Sequence, residues 1–213
     1  MISTTVMSFT IRLVSDGAPA TGLGSDFLDG MLPRDHLNRF AIPASHIKGV
    51  MRSGLHEILM AARWDPAIKE GIFGGPDDRG RRSNQNGTIS ITNATMSLDG
   101  PQIRARGHSE LKYVSRTAVD ALTGGAKHNS LRTIETIATG STFNGRLRHR
   151  FGVASHEDLL IRLSLLAIRA IGSQRSRGCG MCDVRIDGEN RSPGTLLQVF
   201  AERGTAEVSD AAS

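Results

Sequence analysis

The sequence predicts an α+β fold, a ferredoxin-like βαββαβ core interrupted by long loops. Three observations point there. Short segments alternate apolar and polar residues with period two, as half-buried strands do: Phe9, Ile11 and Leu13; Ile89 and Ile91; Cys182, Val184 and Ile186. Two longer segments, 43–63 and 155–171, repeat their apolar residues at the period of a helix instead. Their order is strand, long loop, helix, strands, basic insertion, strand, helix, Gly-rich loop and strand, which is the order of that unit with insertions. No internal repeat is found.

Taken in turn, residues 8–14 (SFTIRLV) form the first strand. Residues 15–39 are rich in Gly and Asp with no sustained period, and the loop region extends over 15–41. Such a length of irregular chain is expected to be functional or disordered. The helix at 43–63 is started by Pro43 and Ser45 and carries an apolar stripe of Ile47, Met51, Leu55, Ile58 and Ala62. On another face Lys48, Arg52 and His56 follow at four-residue intervals and so line up. Residues 74–87 are a polar, breaker-rich loop. The strand at 87–98 changes phase near Thr92–Asn93, the mark of a β-bulge. Residues 131–151 read as one extended region, preceded by a Gly-tipped segment at 117–130. Ser155 and Asp158 open the second helix as a capping box does, and Gly172 stands where it stops. After the strand at 182–186, residues 196–201 read as one more strand. The domain is expected to occupy 1–202, with an insertion at 111–131 and a frayed tail at 203–213.

The chain has 213 residues, of which 38% are hydrophobic and 22% charged, enough to build a core and to exclude wholesale disorder. No apolar run approaches a membrane span and no secretory leader opens the chain, so a cytoplasmic protein without a membrane partner is expected. Cys179 and Cys182 are the only cysteines, which excludes a disulfide framework. Their C-x-x-C spacing lacks the further ligands zinc needs, and Cys182 falls on the apolar phase of its strand; no structural zinc is expected. The triphosphate-binding P-loop and the G-x-S-x-G nucleophile elbow are both missing.

Charge is the more telling property. The formal net charge is +5, and Arg supplies 22 of the 26 basic residues. Arg presents a planar fork of donors suited to phosphate. Residues 101–152 alone hold nine basic residues against three acidic ones, so a polyanion, nucleic acid first, is the expected partner. Two segments suit it. In Ile42-Pro-Ala-Ser-His-Ile-Lys-Gly-Val-Met-Arg52, a helix N-terminus is combined with Ser45, Lys48 and Arg52 as donors. In Gly172-Ser-Gln-Arg-Ser-Arg-Gly-Cys-Gly180, glycines allow close backbone approach while Arg175 and Arg177 supply charge.

These segments, in this order and with Ile72-Phe73-Gly74 and Gly87-Thr-Ile-Ser-Ile between them, resemble the RAMP superfamily of CRISPR-associated proteins. Within it the chain looks most like the backbone-forming subunit of type III effector complexes. Ala121-Leu-Thr-Gly-Gly-Ala-Lys127, Glu135 and Gly140-Ser-Thr-Phe143 resemble that subunit's thumb hairpin and the strand after it. The resemblance spans residues 6–187. It implies an RRM-like core that binds CRISPR RNA, polymerises with copies of itself into a helical filament, and meets a single-stranded target RNA and other effector subunits in antiviral defence. It implies guide contacts from Ser45, His46, Lys48 and Arg52, and from Arg175, Ser176 and Arg177 in the Gly-rich loop. The thumb falls on 116–130 within the 111–131 insertion, with Arg116 and Lys127 in it and Arg132 just beyond it as further RNA-binding cations. Few aromatics (4%) agree with gripping of the backbone rather than stacking on bases.

Cleaving members of the family carry an Asp in the loop before the first helix. Phe27-Leu-Asp29-Gly-Met-Leu-Pro-Arg-Asp35 matches that pattern and puts Asp29 in the cleaving position, with Asp26 the next candidate and Asp35 serving the loop. Gly30-Met31 departs from the family's Ser-Pro, and Ala20-Thr-Gly22-Leu-Gly24 replaces its His-x-Gly-Gly element. The resemblance thus implies a metal-dependent endoribonuclease in which Asp29 holds a divalent ion, Mg or Mn, or helps activate the target's 2′-hydroxyl. The alternatives are a structural RNA-binding subunit without cleavage and a stand-alone guide-processing nuclease. The latter class offers a His or Tyr near its first strand, and residues 1–20 contain neither.

Overall fold

Alternation at the start of the chain becomes strand β1 (Thr5–Leu13), which buries Met7, Phe9, Ile11 and Leu13 and turns Val6, Ser8, Thr10 and Arg12 the other way. The computed structural model describes residues 4–17, 31–75, 87–97, 111–128, 130–151, 155–173 and 175–210, with side chains described up to residue 202. Asp26 and Asp29, the Ala20–Gly24 segment, most of the 74–87 loop and residues 98–110 lie outside these.

After β1 come β2 (Ala41–Ile42), α1 (Ala44–Ala61), α2 (Ile68–Phe73), β3 (Ser90–Ile91), β4 (Ala94–Met96), β5 (Leu111–Arg116), β6 (Arg132–Ile137) and β7 (Thr142–His149). Then follow α3 (His156–Leu166), a 3₁₀ turn (Arg175–Arg177), β8 (Cys182–Ile186) and α4 (Pro193–Asp210). The class is α+β, as the periodicities predict. The main sheet runs β2-β4-β7-β1-β8, with β3 also on β7, and every pairing is antiparallel. β5 and β6 form a separate two-stranded sheet.

One face of the main sheet carries the core. Phe9, Ile11, Phe143 and Leu147 pack in one cluster with Ile47, Met51, Leu55 and Leu59 of α1 and Leu159, Leu160 and Leu163 of α3. Phe9 lies opposite Gly145, where a Cβ would run into the Phe9 ring; only a glycine leaves room for that aromatic. The stripe of α1 is narrower than its sequence suggests, with Leu59 buried in place of Ala62.

The phase slip near Thr92 is a bulge. Ile91 stands opposite Leu147 and Thr95 opposite Asn144, so four steps on one strand meet three on the other. Thr92 keeps the ladder going, since its N–H donates to the Arg146 carbonyl and its Oγ1 accepts from the Arg146 N–H.

Several expectations are corrected. The extended region at 131–151 is two strands, because the chain turns at Thr139–Gly140 and β6 leaves the main sheet to pair with β5. The second helix stops at Ala167 rather than Gly172; residues 168–171 extend so that Ala170 bridges Met181 and the Arg169 carbonyl accepts from the Cys182 N–H. Residues 196–201 are helical, not a strand, and belong to α4. Ser192 caps α4 by accepting from the Thr195 N–H, Pro193 fits its first turn, and Leu196 and Phe200 are buried four residues apart. Phe200 packs against Trp64 and His156 with ring centroids 4.1 and 3.9 Å apart. Within the loop expected over 15–41, residues 34–40 form an ordered turn: Arg34 bridges Phe40, and Asp35 accepts from the N–H groups of Leu37 and Arg39 and from Arg39 Nε. Asp35 does serve the loop.

Beneath α3, the capping serine behaves as expected, accepting from the Asp158 N–H at 3.2 Å. The Asp158 carboxylate does not reach back to the cap. It is buried between His149 Nε2 and Arg162 Nε, each at 2.9 Å, and Arg162 continues to Glu189. His149 Nδ1 accepts from the Phe151 N–H, while its Nε2 meets Asp158 Oδ1 at ion-pair distance without an aligned hydrogen bond. The side-chain hydrogen bond from Arg191, against some burial, holds Glu189 far down, at about 2.

Candidate nucleic-acid interface

The first turn of α1 is built differently from its sequence reading. Pro43 is the N-cap and no side chain of the helix's own start caps it. The cap comes from the bulge: Asn93, the extra residue between β3 and β4, accepts from the Ala44 N–H through Oδ1 at 2.9 Å. Ser45 is left exposed in the first turn. Lys48 and Arg52, half-exposed on successive turns, extend a cationic edge from the same end.

His46 is the hinge of the site. Its Nε2 accepts from the Gly172 N–H at 2.9 Å, joining α1 to the start of the Gly-rich loop. The ring's proton is therefore assigned to Nδ1. Burial, with the Arg175 guanidinium nearby, keeps its pKa below the ordinary value of 6.5. Arg175, Ser176 and Arg177 form the exposed 3₁₀ turn of this loop. At its end Gly180 takes φ 68°, and a Cβ there would collide with the Ile171 carbonyl, so glycine is required.

The β5–β6 hairpin comes in from another side. Arg116 and Arg132 are directly opposite each other at the far end of the ladder, and Arg116 Nη2 reaches Cys179 Sγ of the Gly-rich loop at 3.5 Å. Beyond them the connection is exposed, turned by Asp120, which accepts from the N–H groups of Leu122 and Thr123. Lys127 sits in this connection, its N–H on the Ala118 carbonyl, and is exposed.

Residues 13–17 lace these pieces together. Gly17 exchanges both backbone hydrogen bonds with Ile137, and the Gly180 N–H donates to the Asp16 carbonyl. Asp16 also accepts from Lys112 Nζ at 2.8 Å and from the Thr139 N–H and hydroxyl. Burial opposes ionisation of this carboxyl, yet these bonds hold its pKa below the ordinary range. The Ser15 hydroxyl donates to the Gly178 carbonyl and accepts from the Met181 N–H. On the other side of the Asp29 segment, the Leu32 N–H donates to the buried carboxylate of Glu135 at 3.0 Å. Both ends of that segment are thus fastened to β6.

The structure therefore brings His46, Arg175 and Arg116 to one junction, with Ser45, Lys48, Arg52, Ser176 and Arg177 on the elements that form it. Lys127 and Arg132 lie along the hairpin, and Asp29 is outside the described residues. Asp16 and Asn93 escape sequence reasoning, and Glu135, marked only by the family resemblance, is given no role of its own. For Asn93 a signal existed, a polar residue at the phase slip; nothing local marks the partners of Asp16 or Glu135, which are distant in sequence. Burial pushes the Cys182 thiol up to about 11, so it stays protonated as a core residue does. Among the described residues, no group of three or more His, Cys, Asp or Glu gathers to hold a metal ion, and no helix is long and apolar enough to cross a membrane.

A basic junction framed by a helix start, a Gly/Arg turn and a hairpin agrees with what family comparison finds. The sequence model of the RAMP superfamily matches residues 12–183, and the chain belongs to that superfamily. Its fold is similar to that of a chain in the cryo-EM structure of type III-B Cmr-beta bound to cognate target RNA, with TM-score 0.66 and 12% identity over 85% of this chain and 97% of that one. A chain of the Cmr-beta apo state is similar at TM-score 0.64 and 12% identity, covering 86% and 98%. No curated protein sequence matches the chain.

Proposed function

We propose that this protein is a CRISPR RNA-binding backbone subunit of a type III effector ribonucleoprotein. The observation that carries this reading is the contact between the α1 start and the Gly-rich loop through His46 and Gly172. With that contact as the anchor, Ser45, Lys48, Arg52, Arg175, Ser176 and Arg177 would surround one place, where a sugar–phosphate chain would find backbone donors and guanidinium groups together. The fold likeness to chains of Cmr-beta assemblies supports the same reading. An RRM-like core is supported by the order β8-β1-β7-β4, in which α1 and α3 make the crossovers. The β5–β6 hairpin would be the thumb, bringing Arg116, Lys127 and Arg132 to RNA. Copies of the chain would repeat along the guide as a filament among other effector subunits, in the cytoplasm.

Target cleavage is part of the proposal and falls to Asp29. Its carboxylate would take the proton of a target 2′-hydroxyl as that oxygen attacks the adjacent phosphorus, leaving a cyclic phosphate as the P–O5′ bond breaks and the departing 5′-oxygen takes a proton from water. A divalent ion would stabilise the charge on the phosphate. Asp29 is the protein ligand assigned to it.

Two experiments test this. Lys48→Ala with Arg52→Ala is expected to weaken guide binding and to flatten its dependence on salt by about 1.4 in log–log slope, the loss of two single-strand phosphate contacts. An unchanged slope overturns the α1 seat. In the reconstituted complex, Asp29→Ala should abolish cutting while target binding persists. Cutting at the wild-type rate would favour the structural, non-catalytic reading of the subunit.

A further inference from the structure

The basic residues of β7 take no part in the junction described above. Arg146 and Arg148 point away from the core, because Gly145, Leu147 and His149 occupy the buried positions. On the same face, opposite α1 and α3 and free of helices among the described residues, the neighbouring strands contribute Arg12 of β1 and Arg185 of β8. Register places them: Ser8 stands opposite Arg146, Val6 opposite Arg148, Thr10 opposite Arg185 and Arg12 opposite Asp183. All four arginines are exposed, and their guanidinium groups have no hydrogen bond or ion pair among the described residues.

We infer that this face of the sheet, which no described helix covers and which carries Arg12, Arg146, Arg148 and Arg185, is a second RNA-binding surface that holds a single strand by its phosphates. Charge argues first. The outward residues of β1, β7 and β8 include four arginines and one acid, Asp183. A sheet face adapted only to water gains from mixing signs, since like charges on neighbouring positions repel. Spacing argues second. Arg146 and Arg148 are about 7 Å apart along the strand, and the face from Arg12 to the level of Arg148 spans about 20 Å. That row can follow several phosphates of an extended strand. Thr10 and Asn144, hydrogen-bonded to each other at 3.0 Å between them, add polar groups to the path.

Chemistry also selects the occupant. Val6 is the only apolar residue among those outward positions, and none is aromatic. A protein docking here would want an apolar core to its interface, and a base-reading RNA surface would want stacking rings. An arginine field without either fits backbone contacts made without regard to sequence. The surface lies across the sheet from α1 and so is separate from the guide seat, and it does not depend on that assignment.

The test uses the full chain and a fluorescent eight-nucleotide oligouridylate, with stoichiometry by native mass spectrometry and affinity by anisotropy. Wild type should bind two equivalents. Arg146→Gln with Arg148→Gln should remove one of them, weakening that site about 20-fold at 0.1 M salt for two lost phosphate contacts. Lys48→Ala with Arg52→Ala should spare this equivalent. Arg146→Lys with Arg148→Lys should retain most of the binding, which separates charge from a folding defect. The proposal is overturned if the Gln pair leaves both stoichiometry and salt slope as in wild type, or if the Gln pair binds normally to RNA but loses an acidic protein of the complex. If only the Gln pair has an effect, this surface stands and the α1 seat falls.

Discussion

His46 joins segments 126 positions apart through one hydrogen bond, and that bond requires an unprotonated Nε2. The folded environment disfavours the proton, through burial and then Arg175, so the folded pKa lies below 6.5. On acidification the unfolded chain takes up the proton first. The contribution of this group to stability is therefore complete above pH 6.5 and is lost as pH falls through the window beneath it. His46→Gln keeps an acceptor and does not titrate. Between pH 7 and 5 the wild-type melting temperature should fall more steeply than the variant's, and equal slopes would remove His46 as the cause. Glu189 does not confuse this, because its pKa is lowered from 4.5 to about 2 and its stabilising effect is lost only in that more acidic range. Nothing at position 46 in the sequence signals an acceptor role; a histidine at a helix start looks like one more donor to phosphate.

At the level of elements, alternation and capping were readable where the partner lay close in sequence. The cap of α3 by Ser155, the slip at Thr92 and the core phase of Cys182 all follow from local pattern. The errors fall where a distant partner decides. Residues 131–151 look continuous, yet β6 and β7 belong to different sheets. Residues 196–201 contain enough branched and aromatic side chains to pass for a strand, but the Ser192-Pro193 start and the pocket formed with Trp64 and His156 select a helix. The bulge has its own prediction. Asn93→Ala leaves the Ala44 N–H without its partner and should cost about 1 kcal/mol, a typical cap loss. For a chain of this length that is about 2–4 °C in melting temperature. Asn93→Asp retains the oxygen and favours the helix dipole, so it should melt no lower than wild type.

For the molecule as a whole, the RAMP assignment was legible because its motifs sit on the elements that meet. The Pro43-to-Arg52 segment and the Gly-rich loop are more than a hundred residues apart, and only their joint presence pointed to a common site. What could not be read was the stitching between them, since Asp16 and Glu135 are ordinary acids until Lys112, Thr139 and Leu32 are brought to them.

Residues 13–17 are short, yet they are bonded at once to β6, to the turn after it, and to the end of the Gly-rich loop. A lever fixed at two points of one short rod cannot swing alone. Any displacement of the hairpin must either snap those bonds or drag the arginine turn with it, so the two are mechanically geared.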